Sequence, residues 1–425
     1  MFADVSSPDD RSLGRSFWTL LGSSGLSNLA DGIFKLALPL IAIVYTRSAV
    51  LVAGLELVRT LPWLIGALQV GALTDRLDRK KAMIWANTTR ATLVLIPAVL
   101  ISLDLASIWT LYVAAVGTGI AEVFYDTAAQ SILPSILPRH SLDRANGRLF
   151  AVELGAQEFA GPPIAGLLVG IGLAVSMFTS VGLWVAAIAA LGLVRGHFRP
   201  DRQGPRRPLR KDIREGLAFV YQNRVLRAMA LMVGMMNLGS SAVFAVIVLF
   251  AVGPESTLQL TEPQFGILFA TIAAGGIFGG LVSEAVQARV SRSAILTVTV
   301  VISIIYLGAP AVVANVWVLG VLYMCAGASN MLWNVITVSF RQRVAPDHML
   351  GRMNSAYRLL AWGTRPLGAA VGGVIGEVFG VRGVFGVVGI LSLAVLIPNR
   401  AITDEALAAA EARGDGTDGE AQIPW

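Results

Sequence analysis

Cysteine, histidine and charge are scarce in this chain. A single cysteine in 425 residues, Cys325, excludes an internal disulfide and leaves the redox compartment open. His140, His197 and His348 show no metal-ligand spacing, so no metal site is expected. No Gly-rich loop ends in Gly-Lys-Ser/Thr, which argues against ATP-driven chemistry, and no cofactor is expected. Charged residues make up 14% and aromatics 8%, against 55% hydrophobic residues and a mean hydropathy of +0.69. That balance excludes a soluble globular protein and an ordinary soluble enzyme, and places the chain in a bilayer.

The 44 glycines suit helices packed closely through small residues. A net charge of +6 raises the question of nucleic acid, but the basic residues collect between apolar runs. Anionic lipid headgroups are therefore the expected partner, and no nucleic acid is. The first apolar run, from Phe17 to Tyr45, is too long for a signal-peptide core, so no cleaved leader is expected.

A membrane helix needs about 20 apolar residues, and at that length the chain divides into about twelve spans. The first six are predicted at Phe17 to Tyr45, Val50 to Leu73, Ala82 to Leu103, Ile108 to Gln130, Gly147 to Val169 and Leu173 to Val194. The others are predicted at Val225 to Val252, Gln264 to Val286, Ser293 to Val313, Val316 to Val338, Ser355 to Val378 and Gly383 to Ile397. Lys and Arg gather on alternate connections, at Arg76 to Lys81, Arg139 and Arg144, Arg195 to Arg227, Arg289 and Arg292, and Arg341 to Arg352. Short cytoplasmic loops carry that excess, so both termini are expected in the cytoplasm.

The chain reads as a bundle over residues 1–195, a basic linker over 196–224, a second bundle over 225–397 and a disordered cytoplasmic tail over 398–425. Within the linker, Leu209, Ile213, Leu217 and Val220 lie opposite Arg210, Lys211 and Arg214, the pattern of an amphipathic helix on the inner leaflet. In the tail, Asp404 to Arg413 has the composition for a transient helix. Pro138, His140, Leu142, Arg144 and Asn146 recur as Pro346, His348, Leu350, Arg352 and Asn354, about half the chain later. Two halves related as parallel repeats follow from that recurrence.

The order Gly71-x-Leu73-x-Asp75-Arg76-x-x-Arg79-Lys80 resembles the loop motif between helices 2 and 3 of the major facilitator superfamily, except that Asp78 stands where its commonest pattern has Gly. Leu36 to Ala42, Asp75 to Arg79, Leu133 to Asn146, Gly161-Pro162 and Asp212 to Leu217 resemble the branch of enterobactin exporters and macrolide efflux proteins. Gly155, Gly161-Pro162 and Gly166 partly resemble the Gly-Pro motif of proton-coupled antiporters, whereas span 4 lacks the intramembrane Arg many of them carry. The resemblance implies an all-α fold of twelve transmembrane helices in two six-helix halves that alternate access. It also implies a conformational hinge at Gly71, Asp75, Arg76, Arg79, Lys80, Gly161 and Pro162, with Asp75 and Arg79 bridging the halves on the cytoplasmic side.

A charge at membrane depth costs about 2.5–3.5 kcal/mol, so its position marks a helix that avoids lipid. Asp31 and Lys35 fall in span 1, Glu56 and Arg59 in span 2, Glu122 and Asp126 in span 4, Glu153 and Glu158 in span 5, and Arg358 and Arg365 in span 11. Span 3 has only Arg90, expected to snorkel to the cytoplasmic face. Asn28, Asp31 and Lys35 share a helix face, and the spacing predicts an Asp31–Lys35 ion pair and a Glu56–Arg59 pair. Glu122, Asp126 and Gln130 form a stripe with no base on the same helix. Two carboxyls that close cannot both ionise easily, so one is expected to carry a proton. Glu122, Asp126 and Asp31 are thus the candidate proton-coupling residues.

Polar stripes at Asn237, Ser240 and Ser241, and at Asn330, Asn334 and Thr337, with Arg358 and Arg365, complete a cavity expected to be acidic on one side and neutral or basic on the other. Trp63, Trp333 and Trp362 offer flat surfaces to an amphipathic ligand or simply pack. The expected function is proton-coupled export of an amphipathic small molecule, such as a drug, siderophore or secondary metabolite, by a monomer in the cell membrane. The alternatives are a lipid or lysolipid translocator of the same fold and a transport-inactive scaffold or sensor.

Overall fold

The structure, a computed structural model, describes residues 13–74, 77–138, 141–196, 198 and 209–415. Asp75, Arg76, Arg139, His140 and His197 lie outside the described residues, as do the side chains of Leu73, Gln130, Leu209 to Ile213, His348, Leu350, Asn354 and Arg358. The predicted contacts of Asp75 and Arg76 therefore stay expectations.

Long apolar runs fold as helices because hydrocarbon leaves backbone polar groups no partner except each other. The first group is α1 (Gly14–Tyr45), α2 (Ala49–Thr74), α3 (Arg79–Ser102), α4 (Ile108–Ile132), α5 (Leu142–Leu154), α6 (Gly161–Ile171) and α7 (Leu173–Leu193). The second is α8 (Leu209–Gln222), α9 (Arg224–Ala251), α10 (Glu262–Gln287), α11 (Arg292–Gly308), α12 (Val316–Val344), α13 (Asp347–Trp362), α14 (Thr364–Ser392), α15 (Leu396–Asn399) and α16 (Asp404–Asp415). Polar side chains close the helix starts. Asp78 accepts from the Lys81 N–H at 3.1 Å and caps α3, so the residue that departs from the motif's Gly has a structural task. Thr261 and Gln264 form a reciprocal capping box at α10.

Ten described segments are long and apolar enough to cross a membrane. One of them, Leu359–Asn399, has 41 residues. At 1.5 Å per residue it would reach about 60 Å, twice the hydrocarbon thickness. Gly380 resolves this with φ 75°, and beyond it Val384 comes back against Gly376, so the segment doubles back as a helical hairpin. Between α5 and α6, residues Gly155–Ala160 form a π-helical turn in which the Gly161 N–H reaches back to the Ala156 carbonyl. Pro162 and Pro163 follow, and neither has an N–H for the regular bond four residues back.

Packing sorts the helices into two sets. In one, α1 lies on α6 and α7, α3 on α4 and α7, and α2 on α4; in the other, α9 lies on α14 and α12 on α10 and α11. The sets interlock at the end that holds Ser48. There a Cβ on Gly373 would fall 3.0 Å from the Ala53 Cβ, and one on Gly266 would fall 2.9 Å from the Pro162 carbonyl oxygen. Glu377 of α14 accepts from the Ser48 hydroxyl at 2.9 Å and the Val50 N–H at 3.2 Å, capping the start of α2 from the other set.

Two segments outside the predicted spans are docked on the bundle. Helix α8, predicted on the lipid headgroups, packs on α13: a Cβ on Gly216 would meet the Arg352 carbonyl, Glu215 pairs with Arg352 at 2.5 Å, and Val220 is buried. The tail, predicted to be disordered from residue 398, folds as α16 through residue 415. Leu407 and Ala410 bury against the core of α9 to α13, and Glu411 forks onto Arg292 at 2.6 and 3.0 Å, which gives the helix partners that its composition does not reveal.

Candidate functional site

The polar core of the first set starts from α1, where Ser23, Ser24, Ser27 and Asn28 occupy a buried face. Ser23 donates to the Ala187 carbonyl at 2.8 Å, and Ser27 donates to Asn87 Oδ1 at 3.0 Å. Asn28 bonds back to the Ser24 carbonyl at 2.8 Å and is buried, so it does not line an open cavity as predicted.

The ion pairs differ from those that spacing along one helix predicts. Asp31 pairs with Arg90 of α3 at 3.0 Å, and Lys35 pairs with Glu158 of the π-turn at 2.8 Å, so the predicted Asp31–Lys35 pair is not formed. Arg90 does not snorkel: it is fully buried and lies 4.9 Å from the centroid of the Tyr125 ring. Both corrections have one cause. An i,i+4 pair needs no third partner, but closing α3 onto α1 brings in a guanidinium that must be neutralised, and Asp31 is the acid beside it.

Glu56 and Arg59 do pair, with Nε to Oε2 at 3.0 Å and Nη2 to Oε1 at 2.9 Å. The third arm of Arg59, Nη1, reaches Glu122 Oε2 at 3.0 Å. Glu122 therefore has a base after all, supplied by α2 rather than by its own helix. Gly119, one turn earlier, permits this, since a Cβ there would overlap the Arg59 carbonyl oxygen. Asp126 is left as the acid of the stripe without a hydrogen bond or ion pair among the described residues, within electrostatic reach of Glu122, Arg90, Glu153 and Asp31. Glu153 of α5 has an interaction of its own.

Opposite these groups the second set offers α13 and α14. Arg365 stacks 5.0 Å over Trp362, and Trp362 meets Trp63 of α2 edge-on with centroids 5.1 Å apart. Lys35 and Glu158 keep 36% and 48% of their side-chain surface accessible at mid-helix, facing the electrostatic field of Arg365 across the gap between the sets. Asn334 donates to Asn330 at 2.5 Å and both are exposed, while Asn237 is tied to the Ala361 carbonyl at 2.6 Å. Asn237 thus secures the α13 end with one of its two amide hydrogens.

The hinge residues fall into two groups. Arg79 donates to the Ser135 hydroxyl at 3.0 Å, and Lys80 donates to the Gly192 and Val194 carbonyls at 3.0 and 2.8 Å. All of these are first-set contacts, so among the described residues Arg79 has no hydrogen-bond or ion-pair partner in the second set. Gly161 does lie at a crossing, where a Cβ would be 2.7 Å from Gly32 Cα, and the Pro162 carbonyl touches Gly266 of α10. Among the residues that matter here, the sequence reading missed the part played by Arg90. The available signal was Asn87 three residues before it, which puts two polar groups on one face of α3.

A helical bundle with charge pairs between its helices, some buried and one half-exposed, fits a membrane transporter. The chain belongs to the major facilitator superfamily, in the family described as transmembrane secretion effector, whose model matches residues 11–414. It is 30% identical over 386 residues to the multidrug efflux pump Tap of Mycobacterium tuberculosis, covering 87% of this chain and 88% of that protein. It is 26% identical over 317 residues to the enterobactin exporter EntS of Salmonella typhimurium, covering 73% of this chain and 74% of that one. Among solved structures, a mutant form of the nucleoside transporter NupG superposes with a TM-score of 0.71 at 12% identity, over 93% of this chain and all of that one. A bacterial homologue of the iron transporter ferroportin, in its inward-facing state, gives 0.69 at 16% identity, over 95% of this chain and all of that one. The protein is a multi-pass cell-membrane transporter rather than an enzyme.

Proposed function

We propose that this transporter exports an amphipathic small molecule against its gradient by taking up protons, with the two helix sets rocking so that the interlocked end at Ser48 and Glu377 and the opposite end open in turn. The observation that carries this reading is Asp126, an acid with no ion-pair partner among the described residues where Asp31, Glu56, Glu122 and Glu158 each have one. An acid whose nearest cation is already paired with another acid is best accommodated at membrane depth with a proton on it, and a proton held there is available for exchange. Twelve passes, with both termini in the cytoplasm, complete the reading: α5 and α6 make one broken pass, and the hairpin at Gly380 makes two. Then the interlocked end faces outward, and the gap containing Lys35, Glu158, Trp362 and Arg365 opens inward as the substrate path. The names of the similar efflux pumps support export of drug- or siderophore-sized molecules.

Everted membrane vesicles test it. With an interior-acid gradient they are expected to accumulate ethidium or a comparable amphipathic dye, whereas Asp126→Asn vesicles lose accumulation but retain dye-for-dye exchange. Exchange needs no change of protonation. Accumulation that is unchanged in Asp126→Asn would place the coupling elsewhere.

A further inference from the structure

Arg90 is the charged group of the first set that the export reading does not yet use. Its Nη1 donates to Asp31 Oδ2 at 3.0 Å, Asn87 Oδ1 at 3.3 Å and Ser27 Oγ at 3.4 Å. Its Nε and Nη2 are buried and have no acceptor among the described residues. Leaving a buried donor unsatisfied costs about 1–3 kcal/mol, so one idle edge on a guanidinium is a costly arrangement unless another state employs it. The face of the group rests on the Tyr125 ring, and Asp126 is the next residue along α4.

The remaining neighbours leave few choices. From α1 comes Asp31, already bonded to Nη1; from α2 comes Arg59, occupied by Glu56 and Glu122. From α4 come Glu122, held by Arg59, and Asp126, held by nothing among the described residues. Glu153 of α5 is within electrostatic reach of Asp126, and α7 contributes Trp184, whose Nε1 is a donor. One buried cation therefore serves two acids and engages one of them.

We propose that Arg90 is the switching partner in a two-acid relay, engaging Asp31 while Asp126 holds a proton and turning its idle edge to Asp126 in the alternate arrangement. The inference rests on the proton-coupled reading above. When the guanidinium turns, Asp126 gives up its proton as an O–H bond breaks there, and Asp31, losing its partner, takes one up. The cluster holds one guanidinium, one carboxylate and one carboxylic acid in both arrangements, and the proton has moved its carrier from α4 to α1. Arginine suits this role because its planar fork presents donors on two edges while its face stacks on Tyr125; a lysine ammonium is a point charge with neither property. Arg90 is thus a positioning residue, acting through the two acids.

Infrared difference spectroscopy of the full-length protein in liposomes near neutral pH tests this without a known substrate, because a protonated carboxyl has its own C=O stretch. The wild type is expected to show a protonated-carboxyl band that Asp126→Asn removes. In Asp31→Asn, Arg90 has lost its first partner, and the Asp126 band is expected to disappear as well. Arg90→Gln is expected to add a second band, which Asp31→Asn introduced into that background removes. A purely structural role for Arg90 would leave the Asp126 band intact in Asp31→Asn, and that result overturns the relay while leaving proton coupling standing. A wild type with no Asp126 band overturns the coupling assignment itself, and the relay with it. Should Arg90→Gln fail to fold, the comparison of wild type, Asp126→Asn and Asp31→Asn still decides the matter.

Discussion

Arg59 has 9% of its side chain accessible and holds two acids at once, Glu56 through a bidentate fork and Glu122 through the remaining nitrogen. A pair like this contributes little net stability when made, because both ions lose water, but removing one partner leaves the others uncompensated. Arg59→Gln is expected to destabilise the protein by about 3–5 kcal/mol. Tryptophan-fluorescence melting in detergent reads this as a lower Tm, and adding Glu56→Gln and Glu122→Gln in the same chain is expected to recover most of the loss. A Tm in the triple variant no better than in Arg59→Gln would mean that packing of the guanidinium, not its charge, holds α2 against α4. The Glu56–Arg59 half of this cluster was legible from i,i+3 spacing. The Glu122 half was not, since helical periodicity places residues on a face without saying which helix that face will meet.

At the scale of elements, α16 is the clearest case of a segment whose partners decide its state. Hydrogen bonds from Ser293 hold the Asp404 carboxyl below its ordinary range, and the fork from Arg292 does the same for Glu411. Carboxyls depressed in the docked state contribute fully above their ordinary values and lose that contribution as pH falls below about 4 towards the docked values. Acidification is therefore expected to release α16, and Glu411→Gln to weaken its docking at neutral pH. A fluorophore on Ala409→Cys, in a Cys325→Ser background, reports both as a fall in anisotropy; a signal flat from neutral pH down to about 3, below the ordinary carboxyl range, would show that Leu407 and Ala410 hold the helix without the ion pair. The tail's Gly, Asp and Glu content reads as disordered on its own, and the docking surface belongs to α11 and α12. The π-turn between α5 and α6 has a related origin: the run Gly147 to Val169 reads as one continuous span, and nothing in it shows that a π-turn would present Glu158 to Lys35.

For the whole molecule, the interface between the helix sets depends on glycines that let backbones approach. Ala53→Cys with Gly373→Cys, whose Cβ positions lie 3.0 Å apart, is expected to form a disulfide on mild oxidation in a Cys325→Ser background. In the rocking mechanism proposed above that bond holds the interlocked end shut, so oxidation is expected to stop dye accumulation and reduction to restore it. Oxidised protein that transports at the reduced rate would rule out separation of the sets at this end.

Composition and periodicity by themselves determined that this chain lives in a bilayer, where its long apolar helices run and which residues are too charged to face lipid. Those are local properties: transfer of apolar surface and internal satisfaction of backbone groups are decided within a single helix, whatever it later packs against. The pairing of those charges was decided only by tertiary structure. Asp31 turned from Lys35 to Arg90, Glu122 found Arg59, and Asp126 was left over among the described residues. A buried ion takes the nearest opposite charge in three dimensions, and that distance is set by how closely glycine allows two helices to approach.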